Sequence, residues 1–203
     1  MKTQLDQLIS PIPLTGNIQK DVTAFLTHHH CPHTLDHSAR VAAAAQRLAE
    51  QFNAKPQSAV MAGWLHDISA VIPQNDWINC AENWGIDILP EERQAPIVLH
   101  QKLSATLARH LFHITDPAVL STIECHTTLR PGASCLDKVV FLADKLEWDQ
   151  PGQPPYKAGL ETALRDSLDA ATKWYLRYMW QRRDTLLVIH PWFEAAYQEI
   201  SEN

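Results

Sequence analysis

The chain has 203 residues, 45% of them apolar and 20% charged, enough for one globular core and too apolar for intrinsic disorder. Seventeen Lys and Arg against 23 Asp and Glu leave a formal net charge of −6. That excludes the broad basic surface that long nucleic acid requires, while a small anionic ligand can still bind at a locally cationic point. No apolar run approaches the roughly 20 residues of a membrane span. The opening Met1-Lys-Thr-Gln-Leu-Asp-Gln7 lacks a basic start and an apolar stretch, so a cytoplasmic protein is expected.

Helical periodicity runs along nearly the whole chain. Residues 17–30 carry Val22, Phe25 and Leu26 on one side, and 35–52 carry Val41, Ala44, Ala45, Leu48 and Phe52 at three- and four-residue steps. Pro56 suits the first position of a helix over 56–68, which lines up Ala59, Ala62, Gly63 and His66. A helix over 75–84 is closed by Gly85. Further helices are predicted at 99–112 and at 117–125, the latter opened by Asp116-Pro117. Ser134-Cys-Leu-Asp137 resembles a capping box built with Asp, ahead of Leu136, Val139, Val140 and Ala143. Gln150-Pro-Gly-Gln-Pro-Pro155 breaks the pattern. One long helix over 157–183 and a last one over 191–200 follow. With no alternating apolar pattern of useful length, the fold class is all-α.

Cys31, Cys80, Cys125 and Cys135 form no Cys-x-x-Cys pair and are expected as free thiols. The histidines are placed unevenly. His28, His29 and His30 crowd one helix terminus, and His110 and His113 have no carboxylate beside them. These read as surface or packing residues.

A second set sits on apolar stripes. His37 begins the stripe of Val41, Ala44 and Leu48, and His66-Asp67 is enclosed by Trp64, Leu65 and Ile68. His100 follows Ile97-Val98-Leu99, His126 ends the stripe of Val119 and Ile123, and Asp144 comes four residues after Val140. Four histidines and two aspartates on buried faces are costly unless paired, and shared cations remove most of that cost. Imidazole mixed with carboxylate suits iron, manganese or zinc. Six ligands fit two adjacent metals better than one, and such a pair serves phosphoester or phosphoanhydride hydrolysis.

The order His37, His66-Asp67, His100, His126, Asp144 resembles the HD-domain metal-dependent phosphohydrolases, in the variant with two additional histidines. More narrowly it is similar to the YqeK family of bacterial symmetrical diadenosine tetraphosphate hydrolases. The matching words are His37-Ser-Ala-Arg-Val-Ala42, Ala62-Gly-Trp-Leu-His-Asp67, Leu99-His100, His126-Thr-Thr-Leu-Arg-Pro-Gly-Ala-Ser134 and Leu136-Asp-Lys-Val-Val-Phe-Leu-Ala-Asp144, with Ile189-His-Pro191 and Glu194-Ala-Ala-Tyr197 near the end.

The resemblance implies an HD-domain helical bundle with extra N- and C-terminal helices. It would form a single domain over 1–203, with a metal-binding core at 33–150 and a helical extension at 156–200. It implies two metals, iron foremost, on His37, His66, Asp67, His100, His126 and Asp144, and cleavage of diadenosine tetraphosphate into two ADP. Asp67, Arg130 and Lys138 match catalytic positions, the last two also as phosphate contacts.

The chain departs from the family where Ala70 replaces a lysine, where Gln150 replaces an arginine, and where Gln101-Lys-Leu-Ser104 replaces a glycine-rich word. Lys102 is then the candidate to compensate as a further substrate contact. Another nucleotide substrate, or a weakly active metal-containing nucleotide-binding module, stays open beside the main reading. The partner is a small nucleotide, and the amphipathic 157–183 offers a face for pairing with a second copy.

Overall fold

The computed structural model describes residues 12–202, and the opening seven residues read above for a signal lie outside them. Among the described residues the regular structure is helical throughout, with no strand. No helix there is long and apolar enough to cross a membrane. The four cysteines are free thiols.

Helix α1 (Ile18–His28) begins where the Asn17 side chain accepts a hydrogen bond from the Lys20 N–H, and it buries Val22, Phe25 and Leu26. The histidine run marks its end, with His30 at φ 57°. Helix α2 (Pro32–Gln51) starts three residues ahead of the predicted 35, because Pro32 occupies the first turn, where a missing N–H costs nothing. Helix α3 (Pro56–Leu65) is apolar on nearly every side, as a helix packed among α2 and two later helices must be. The prediction carried it to 68. It ends instead at Leu65, Asp67 leaves helical geometry (φ −115°, ψ 16°), and a 3-10 turn takes over at Ile68–Val71.

Helix α4 (Trp77–Trp84) closes on Gly85 in the left-handed conformation, φ 71°, as the glycine predicts. A short α5 (Pro90–Gln94) and a 3-10 turn at Pro96–Leu99 precede α6 (His100–Leu111). Helix α7 (Pro117–Cys125) is capped by the Asp116 carboxylate, which accepts from Ala118 N–H. The capping box of α8 (Cys135–Leu146) forms as read: Asp137 N–H donates to Ser134 Oγ at 3.1 Å, and Ser134 N–H to Asp137 Oδ2 at 2.9 Å.

The long helix predicted over 157–183 is two helices, α9 (Lys157–Asp166) and α10 (Leu168–Trp180). Ser167 is extended between them, and its hydroxyl accepts from Ala170 N–H. The pair folds back so closely that a Cβ on Gly159 would lie 2.1 Å from the Trp174 ring. Helix α11 (Pro191–Glu202) ends the described chain.

The bundle is organised around α3, which contacts α2, α7 and α8, while α9 to α11 pack from the side of α8. Helices α2 and α3 touch at Gly63, where a Cβ would stand 2.7 Å from Ala42 Cα. This contact brings the ends carrying His37 and His66 together.

Candidate metal centre

Five helices deliver six side chains to one point. His37 comes from the first half of α2, His66 and Asp67 from the end of α3, His100 from the start of α6, His126 from the end of α7 and Asp144 from α8. His37 Nε2 lies 3.2 Å from His66 Nε2, and His100 Nε2 lies 3.0 Å from His126 Nε2. Asp67 stands between the two pairs. Its Oδ2 is 3.3 Å from His66 and 3.8 Å from His37, and its Oδ1 is 3.5 Å from His100 and 3.4 Å from His126. Asp144 Oδ1 closes one side at 3.1 Å from His37 Nε2.

Three of the histidines are held by one local device. The Nδ1–H of His66 donates to Gly63 O at 2.8 Å, that of His100 to Ile97 O at 2.6 Å, and that of His126 to Ile123 O at 2.8 Å. Each carbonyl lies three residues back at the end of a helical turn, where backbone acceptors are otherwise unpaired. A carbonyl can only accept, so the neutral ring carries its hydrogen on Nδ1 and turns the Nε2 lone pair into the cluster. The Thr127 hydroxyl sits 2.8 Å from His100 Nε2 and 3.1 Å from His126 Nε2.

Lone pairs and carboxylate oxygens facing one another suit a cation. Asp67 Oδ1 and His37 Nδ1 are buried with no hydrogen-bond partner. The donor atoms form two groups, His37-His66-Asp67 and Asp67-His100-His126, each within 4.8 Å and both containing Asp67. The donor set thus fits a divalent cation, with Asp67 common to both groups.

The charges respond to this crowding. Burial opposes protonation of His66, but the Asp67 and Asp144 carboxylates outweigh it and raise the pKa to about 9, so a cation taking the His66 Nε2 would displace a proton from it. Burial lowers His126 to about 4, so that ring is neutral. Burial also opposes ionisation of both aspartates. His66 nevertheless holds Asp67 well below the usual carboxylate range, and Lys145 with His37 does the same for Asp144.

Above the cluster opens a cavity of about 380 Å³, walled by Trp77, Trp148, Tyr156 and Tyr175, with Ala70, Thr127 and Lys145 also on its surface. The cations predicted as substrate contacts lie elsewhere. Lys102 is buried, its Nζ 2.8 Å from Glu92 Oε2 and 2.8 Å from Asp87 O. Arg130 pairs with Asp137 at 3.1 Å and with the Ser121 hydroxyl. Lys138 pairs with Asp169 at 2.7 Å. Arg130 and Lys138 line a different cavity of about 240 Å³, bordered by α8, α10 and α11. Helical direction explains the miss: on α8, Lys138 and Asp144 are six residues apart, well off the three- or four-residue spacing that shares a face. Lys145 and Thr127 were not singled out from the sequence, although each directly follows a predicted ligand.

The chain is similar to several known proteins. The HD domain model matches residues 34–149. A Lactococcus lactis subsp. cremoris protein described as an uncharacterized protein in the pepC 5' region is 45% identical over 155 residues, 76% of this chain and 78% of that one. The symmetrical bis(5'-nucleosyl)-tetraphosphatase of Bacillus subtilis (strain 168) is 30% identical over 152 residues, 73% of this chain and 78% of its own. A crystal structure from Clostridium acetobutylicum, described as a predicted HD superfamily hydrolase involved in NAD metabolism, shares the fold. Its TM-score is 0.75 at 24% identity, with 100% of this chain and 97% of that one covered. The chain belongs to the HD domain family of hydrolases, alongside YqeK-like relatives named symmetrical bis(5'-nucleosyl)-tetraphosphatases.

Proposed function

We propose that this protein is a metal-dependent phosphohydrolase that cleaves dinucleoside polyphosphates, foremost diadenosine tetraphosphate, symmetrically to two ADP. The observation that carries the reading is the pair of donor groups joined through Asp67, since adjacent cations are the usual clamp for phosphoryl displacement. Two cations there, iron foremost with manganese or zinc suited to the same donors, would supply polarisation of phosphoryl oxygens and activation of water at neutral pH. His37, His66, Asp67, His100, His126 and Asp144 are the residues that would hold them.

The chain's own groups do the rest. The backbone bonds from Nδ1 keep three rings aimed without reorganisation. Burial of His66 and His126 keeps water from the back of the site. The half-buried Trp148 on the cavity wall is the ring on which a nucleobase would stack. The naming of the Bacillus subtilis relative supports the tetraphosphate.

A second reading, hydrolysis of a different or shorter nucleotide, is favoured by Ala70, which lines the cavity where the resemblance implies a lysine. Elemental analysis of anaerobically purified protein, with chromatography of the products from diadenosine tetraphosphate, separates the two. About two metals per chain and ADP as sole product are expected, and Asp67→Asn should lose both. Cleavage to AMP and ATP would overturn the symmetric position of the cut, and no cleavage by metal-loaded protein would overturn the substrate.

A further inference from the structure

We infer that Lys145 is the side chain that holds substrate phosphate in this site, a role resting on the phosphohydrolase reading and supplying its missing cation. Among the described residues lining the cavity above the donor cluster, it is the one lysine or arginine.

Both ends of the residue are anchored. Its carbonyl accepts from Tyr156 Oη at 3.2 Å, and its Nζ lies 5.2 Å from the centre of the Phe141 ring. The ammonium donates to Asp144 Oδ2 at 2.5 Å and to His126 O at 3.4 Å. Three N–H donors are available to a lysine, so one is left for a ligand. Asp144 divides its oxygens: Oδ1 faces the His37 and His66 rings, while Oδ2 faces Lys145. A cation taking Oδ1 therefore leaves the ammonium in place at the edge of the cluster. An anion drawn to the cluster meets that ammonium as the remaining positive charge on the wall. A role confined to balancing Asp144 would need no opening onto the cavity, yet the side chain is 13% exposed and lines it.

The test is calorimetric titration of the metal-loaded, full-length protein with inorganic phosphate, alongside metal content. Lys145→Met should keep the wild-type metals and bind phosphate at least about tenfold more weakly, the scale of a lost charge-assisted hydrogen bond. Lys145→Arg should restore most of the affinity. Where the Met variant does not fold, Lys145→Gln is read the same way. Unchanged phosphate affinity in Lys145→Met, or loss of metal from it, would overturn the assignment. Because the probe is phosphate, wild-type protein that binds it through Lys145 and leaves diadenosine tetraphosphate intact retires the substrate reading alone. Full turnover in a Lys145→Met variant with normal phosphate binding retires this inference alone.

Discussion

The ammonium of Lys102 is placed between Glu92 Oε2 and the Asp87 carbonyl, and Glu92 Oε1 lies 3.2 Å from His190 Nε2. Glu92 is 0% exposed and the Lys102 side chain 6%. In the sequence Lys102 stands two residues from His100 and is the candidate to compensate for the cations that Ala70 and Gln150 replace. On a helix two residues apart point to different sides, so His100 reaches the cluster while Lys102 reaches α5. Removing one partner of a buried pair leaves an uncompensated charge, at a cost of about 3 kcal/mol. Lys102→Met should therefore lower unfolding free energy in urea by about that amount and leave KM unchanged. A raised KM with unaltered stability would return the residue to the substrate.

Most of the helices were legible from apolar spacing and from caps: Asp116, Ser134 and Gly85 act as their chemistry predicts. The break at Ser167 was not, because the apolar stripe continues from Leu164 through Leu168 and Ala171. Periodicity does not register a single extended residue when a hydroxyl caps the next turn. Nor did it register that α3 stops before Asp67, the change that lets neighbouring His66 and Asp67 serve one cluster.

Helices α2 and α3 approach backbone to backbone at Gly63. Adding a methyl group there drives it against Ala42 backbone, 2.7 Å from Cα and 2.9 Å from N. Backbone yields less readily than a side chain, so Gly63→Ala should destabilise by about 1–3 kcal/mol. Urea unfolding measures that cost, and metal content should fall with it, as the same contact sets His37 against His66.

Across the whole molecule, the ionised carboxylates gather where elements meet. Asp67 and Asp144 join the helices of the cluster, and Glu92 ties α5 and α6 to the segment leading into α11. Burial opposes the ionisation of Glu92, but His190 and Lys102 lower its pKa from the ordinary 4.5. A carboxyl whose folded pKa is depressed contributes stability that is present above its unfolded value. That contribution is lost as pH falls through the folded value. All three groups shift in this direction. The carboxylates' contribution to unfolding free energy should therefore hold above about pH 4.5 and drop steeply below it, while that of His66, raised to about 9, is full below its ordinary 6.5 and lost as pH rises through about 9. In Glu92→Gln the drop should be shallower, and urea titrations at stepped pH would show it. An equal slope in the variant would mean that Glu92 titrates alike in both states.

Sequence alone carried the all-α class and singled out six side chains that the fold gathers, three of them buried and three part-buried, because helical periodicity and the cost of lone ionisable groups in an apolar stripe are both local properties. It also determined the family, through the words around His66, His126 and Asp144. Packing of the helices placed Asp67 between two donor groups. It also decided that Lys102, Arg130 and Lys138 are committed elsewhere, and that Lys145 is the cation on the cavity wall. The reason is geometric: a cation's role depends on which carboxylate its flexible chain meets across the bundle, and that partner comes from a helix distant in sequence.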